Sequence, residues 1–158
     1  MNEYLLLKVV HVVSAALLFG TGLGTAFFTW FTHRSGDVGA IARVTRLTVL
    51  ADWLFTAPAV VIQPLSGFAM MRLAGLDGHE PWLRAAMLLY LVAGACWLPV
   101  VVLQYRARDL AARAARDGTP LPPAYHAAMR RWFLLGWPAF AAVLATYWLM
   151  VAKPALWR

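Results

Sequence analysis

Residues 82–104 read WLRAAMLLYLVAGACWLPVVVLQ, a run in which Arg84 is the sole formal charge. An α-helix rises 1.5 Å per residue, so about 20 apolar residues cross a hydrocarbon layer about 30 Å thick. This run is long enough and apolar all round, which is the pattern of a segment whose solvent is lipid. Working outward, three further runs share it: residues 4–31, 47–71 and 132–152. Each is expected to be a helix, because open strands cannot satisfy their backbone groups in lipid and the alternating pattern of a barrel is absent.

The 158-residue chain is 62% hydrophobic and 13% charged, outside the range of soluble domains. The reading is all-α: a single transmembrane domain over 1–158, folded as an up-down-up-down four-helix bundle. The first run is too long for a signal peptide and passes into aromatics without a cleavage pattern, so it is read as retained. The net charge of +7 is a matter of membrane topology and not of nucleic acid. Nine cations, Arg34, Arg43, Arg46, Arg106, Arg108, Arg113, Arg116, Arg130 and Arg131, lie on one side of the spans. Lys8, Arg72, Arg84, Lys153 and Arg158 lie on the other. The excess places the arginine-rich side in the cytoplasm of a bacterial inner membrane, with both termini periplasmic.

The lone cysteine, Cys96, allows no disulfide within the chain and reads as a small apolar filler. The stretch 34–46 reads as a short loop with one helical turn, and 105–118, rich in Ala and Arg, as a helical extension of the third span. Trp30, Trp53, Trp82, Trp132, Trp137, Trp148 and Trp157 fall near span ends and read as interfacial anchors.

Polar groups inside a membrane are expensive, so their spacing points to function. The first span carries His11, Ser14, Thr21, Gly22, Thr25 and Thr29 near one face, with Gly20, Gly22 and Gly24 spaced for close approach of another helix. The second carries Thr45, Thr48, Asp52, Thr56, Gln63, Ser66 and Gly67 at steps of three and four, a second inward stripe. Arg46, Arg130 and His33 are candidate partners for Asp52 by depth. Pro58, Pro64, Pro99 and Pro138 remove backbone hydrogen bonds inside three of the spans and free carbonyl groups. Counted in depth, His11 shares a layer with Gln63, Met87, Tyr90, Tyr147 and Met150, and Lys8, Arg84 and Lys153 lie just above it. His33, His79 and His126 fall at span ends or in loops, and no metalloprotease spacing, phosphate loop, nucleophile elbow or carboxylate pair appears.

The strings ADWLFTAPAVVIQPLSGFAM (51–70) and LLFGTGLGTAFF (17–28) resemble a family of uncharacterised bacterial integral membrane proteins, over nearly the whole chain. A more distant similarity, to HemJ-type protoporphyrinogen oxidases and copper-resistance D membrane domains, rests on Lys8-Val9-Val10-His11 and Val151-Ala152-Lys153-Pro154. That similarity implies haem b, with His11 as the metal ligand and Lys8 and Lys153 beside it. Arg84 joins them for the propionates, and Met87 or solvent completes the iron's coordination. The expected function is therefore haem-b binding with a redox role, as a membrane oxidoreductase with a redox partner. A transporter or proton-coupled channel along Thr25, Thr29, Asp52, Thr56 and Gln63 is a different expectation. A third is a scaffold that docks a partner or a second copy through its glycine face or arginine-rich helix.

Overall fold

The computed structural model describes residues 2–76 and 78–154; Trp157 and Arg158 lie outside the described residues. Helix α1 spans Glu3–Ser35, α2 Val38–Leu73, α3 Pro81–Asp117 and α4 Pro123–Ala152. All four are long and apolar enough to cross a membrane, and no strand occurs among the described residues. The periphery is apolar, with Leu91 67% and Val102 68% exposed. Such a surface suits acyl chains and not water.

The helix termini follow from local chemistry. Gly36, at φ 71°, closes α1 in the left-handed region that side chains with a Cβ avoid. Asp37 opens α2 at once, its carboxylate accepting from the Ala40 N–H at 2.9 Å. The connection is therefore Gly36-Asp37 alone, and the stretch expected to be a loop up to residue 46 is helix from Val38. The third helix runs on to Asp117, where Gly118, at φ 63°, ends it. Thr119 to Pro122 then lead to Pro123 at the first position of α4, where a missing N–H leaves no intrahelical bond unmade.

Helix α2 is α-helical over Val38–Ala51 and Ala57–Leu73, with a π-helical turn over Asp52–Thr56 between them. There the Ala57 N–H reaches the Asp52 carbonyl, five residues back. The helices continue through Pro64, Pro99 and Pro138. Pro64 cannot supply the N–H that the Val60 carbonyl would otherwise accept, and the Tyr90 hydroxyl of α3 donates to that oxygen at 2.5 Å.

Helices α3 and α4 form the most extensive pairing, and the first part of α2 packs against α3. The remainder of α2, beyond the π turn, packs against α1. The core sits at the arginine-rich end, where Ile41, Val100, Ala107, Ala111, Tyr125 and Met129 cluster. Alanines at 107 and 111 bring the backbone of α3 close enough for Tyr125 to be fully enclosed. Trp132 belongs to this core at 7% exposure. Its expected place as an interfacial anchor is corrected, because α4 starts nine residues earlier and carries it into the bundle.

The glycines of α1 also depart from expectation. A Cβ built at Gly20, Gly22 or Gly24 meets no atom within 4 Å, so among the described residues no close helix contact depends on their lacking a side chain.

Candidate functional site

The two polar stripes turn inward and meet along the α1–α2 interface, but they form two separate clusters. The first lies towards the end carrying the chain termini. His11 Nδ1 is 3.0 Å from Ser66 Oγ, and His11 Nε2 is 3.0 Å from Gln63 Nε2. Ser14 Oγ donates to Gln63 Oε1. Directions of donation follow from the chemistry. The Ser66 hydroxyl gives its proton to the Ile62 carbonyl at 2.7 Å, so toward His11 it accepts. The Gln63 amide nitrogen can only donate, so Nε2 accepts. His11 is therefore the neutral tautomer with its proton on Nδ1, an assignment made by the network around it. Its ring lies against Gly67, where a Cβ would come within 3.2 Å of His11 Cε1.

The second cluster lies nearer the arginine-rich end. Thr29 Oγ1 and Thr48 Oγ1 are 3.0 Å apart, both buried, and Thr45 Oγ1 donates to the Ile41 carbonyl at 2.8 Å. Asp52 is 8% exposed; Thr56 Oγ1 donates to its Oδ1 at 2.8 Å, and Gln104 of α3 approaches the same carboxyl. Asp52 Oδ2 and Trp132 Nε1 are buried with no hydrogen-bond partner. The expected partners Arg46 and Arg130 are instead exposed, and neither they nor His33 reach Asp52. They point away because each falls on a different helical face from the buried stripe. His33 turns to α4, with Nδ1 3.3 Å from the Tyr125 hydroxyl and its ring centroid 5.7 Å from that of His126.

Among the remaining residues singled out in the sequence, Lys8 is exposed and Met87 half-buried. Arg84 donates through Nε to the Gly78 carbonyl at 3.2 Å, and the Lys153 ammonium lies 5.6 Å from the Trp82 ring centroid. His11 is thus brought together with Gln63, Ser14 and Ser66, and is not hydrogen-bonded to any of the three cations. In this arrangement the Gln63 amide donates to the His11 Nε2 lone pair, the atom that an axial haem ligand would offer to iron. Among the described residues no three His, Cys, Asp or Glu side chains converge on a common point where a metal ion could be held.

Thr25 spends its hydroxyl on the Thr21 carbonyl of its own helix at 2.8 Å, so the stripe is interrupted between the two clusters. Gln104 and Trp132 are the members that sequence reasoning missed. Gln104 had a signal, as a polar amide at the end of an otherwise apolar run. Trp132 had only the proline-marked start of α4.

Four spans with polar side chains turned to the interior and apolar ones to the periphery define a helical integral membrane protein. The chain belongs to the predicted integral membrane protein family DUF2269, whose model matches residues 5–154. No curated protein and no solved structure matches the chain significantly. The family match bears out the resemblance of residues 17–28 and 51–70, and lends nothing to the one with HemJ-type oxidases or copper-resistance D domains.

Proposed function

We propose that this protein is a small proton-coupled transporter or channel in which Asp52 is the group that gains and loses the proton. The observation that carries the reading is the buried Asp52 carboxyl, with one oxygen lacking a partner and no cation among the described residues paired with it. An ionised carboxylate there would have the Thr56 hydroxyl and Gln104 beside it but no paired cation, and would cost several kcal/mol, on the order expected for charges at bilayer depth. In this reading Asp52 rests as the neutral acid, and ionisation accompanies a change in its neighbours. The π turn supports this role, since such turns are concentrated at functional positions and present side chains out of register with the helix around them.

Sidedness is part of the same proposal: the nine arginines face the cytoplasm of a bacterial inner membrane, and both termini face the periplasm. Reconstitution into proteoliposomes with a pH-reporting dye inside tests the reading. Native protein is expected to carry a pH-dependent flux that Asp52→Asn abolishes. Equal flux in that variant removes Asp52 from the mechanism.

A haem b protein with a redox role is the second reading, and the Ser66 contact favours it. Fixing the proton on His11 Nδ1 leaves Nε2 as the one basic ring atom, which is how metal-binding imidazoles are commonly held. Ligation requires Gln63 to swing off Nε2, with Lys8, Arg84 and Lys153 recruited for the propionates and Met87 available to the iron. A Soret band that vanishes in a folded His11→Ala variant would establish it. A colourless, folded preparation from haem-replete cells would dismiss it.

A further inference from the structure

Thr29 of α1, Thr45 and Thr48 of α2, Gln104 of α3 and Trp132 of α4 surround a cavity of about 10 Å³ at the point where all four helices contribute. That volume is the space one water molecule occupies, and it is too small for an organic ligand. Ala107 and Met129 complete the lining. Trp132 is 7% exposed, and its indole N–H has no acceptor in the protein. An indole can donate only, so whatever satisfies it must present a lone pair. Among the hydroxyls, Thr45 has given its proton to the Ile41 carbonyl and toward the cavity can only accept. The Thr29 and Thr48 hydroxyls, 3.0 Å apart, bond to each other, and each still carries a lone pair. The cavity wall thus brings together an indole N–H without an acceptor and side chains that still offer lone pairs. A small group that accepts from the indole and can donate to those lone pairs fits the space.

We propose that this cavity binds a single ordered water molecule, which accepts from Trp132 Nε1–H and donates to Thr45 Oγ1 and to an oxygen of Thr48 or Gln104. Gln104 lines the cavity and also approaches the Asp52 carboxyl. The water thus stands one side chain away from the acid, toward the arginine-rich end. Its role as a stop on the proton's way to Asp52 rests on the transport reading given above; its presence does not.

The test uses the full-length protein, labelled with ¹⁵N-tryptophan, in lipid nanodiscs. The Trp132 indole resonance is assigned by its loss in Trp132→Phe. Should that variant fail to fold, contacts of the indole proton with the Met129 side chain give the assignment in native protein. The expected result is a cross-relaxation signal between the indole proton and a bound water, lost or weakened in Thr45→Val. An indole proton without any water contact in native protein overturns the inference, whatever the flux measurements show. If the water signal is present while Asp52→Asn leaves flux intact, the site stands and the transport reading falls. If both hold, Thr45→Val is expected to lower the flux, and unchanged flux in it would remove the water from the proton's path.

Discussion

The Tyr90 hydroxyl of α3 donates to the Val60 carbonyl of α2, the acceptor that Pro64 leaves without its helical N–H. A proline that frees a backbone oxygen inside lipid, and a phenol from the next helix that takes it up, act as a matched pair. Tyr90→Phe should therefore destabilise the protein by about 1–3 kcal/mol, the range for stranding a buried acceptor. In a Pro64→Ala background the helix recovers its own bond, and the same Tyr90→Phe change should cost clearly less. Unfolding of the four proteins of this cycle in a denaturing-detergent titration measures the difference, and strictly additive effects would break the pairing.

Asp52 leads to a different kind of expectation, because its amide analogue has nearly the same shape. If the carboxyl rests uncharged, Asp52→Asn should shift stability by less than about 1.5 kcal/mol, as near-isosteric exchanges do. Removing the donor that reaches Oδ1, by Thr56→Val, should cost about 1 kcal/mol in the native background. In an Asp52→Leu background it should cost close to nothing. Thermal unfolding in a mild detergent reads all three.

The number of helices was legible because it depends on runs of apolar residues that no tertiary contact can overrule in lipid. The inward direction of the polar stripes was legible for the same reason: Ser14, Thr45, Thr48, Thr56 and Ser66 are buried at the steps the helix period dictates. The π turn was not. Pro58 marks the neighbourhood, but no local residue pattern fixes the wide turn at Asp52–Thr56. The partner of Asp52 was misjudged because depth along the membrane says nothing about rotation about the helix axis, and Arg46 and Arg130 share its depth but not its face. The glycines of α1 failed for a related reason, since small residues permit a neighbour without supplying one.

The Gly36-Asp37 connection was read as part of a longer loop, and its brevity makes it sensitive. Gly36 sits at φ 71°, so Gly36→Ala places a Cβ in a disfavoured conformation at about 1–2 kcal/mol. Asp37→Ala removes the cap on the Ala40 N–H and should cost about 1 kcal/mol, whereas Asp37→Asn should keep most of it. Both changes lie away from the two polar clusters. Stability should fall in Gly36→Ala and Asp37→Ala while any flux per folded molecule stays at the native level, and a selective loss of flux would show that the hairpin moves during function.

Gly67 is the last position at which the structure makes a sharp demand. A Cβ there would stand 3.2 Å from His11 Cε1, tighter than an ordinary contact, with the ring tied to the same helix by Ser66 and Gln63. The imidazole cannot tilt away without lengthening one of those bonds, so Gly67→Ala should destabilise the protein by about 1–3 kcal/mol. The penalty belongs to the ring and not to the glycine, since Gly67 lies within α2 and alanine is the better helix former. In a His11→Ala background the same substitution should therefore become neutral or stabilising. If Gly67→Ala is equally harmful in both backgrounds, the close approach of His11 to α2 is not what constrains residue 67.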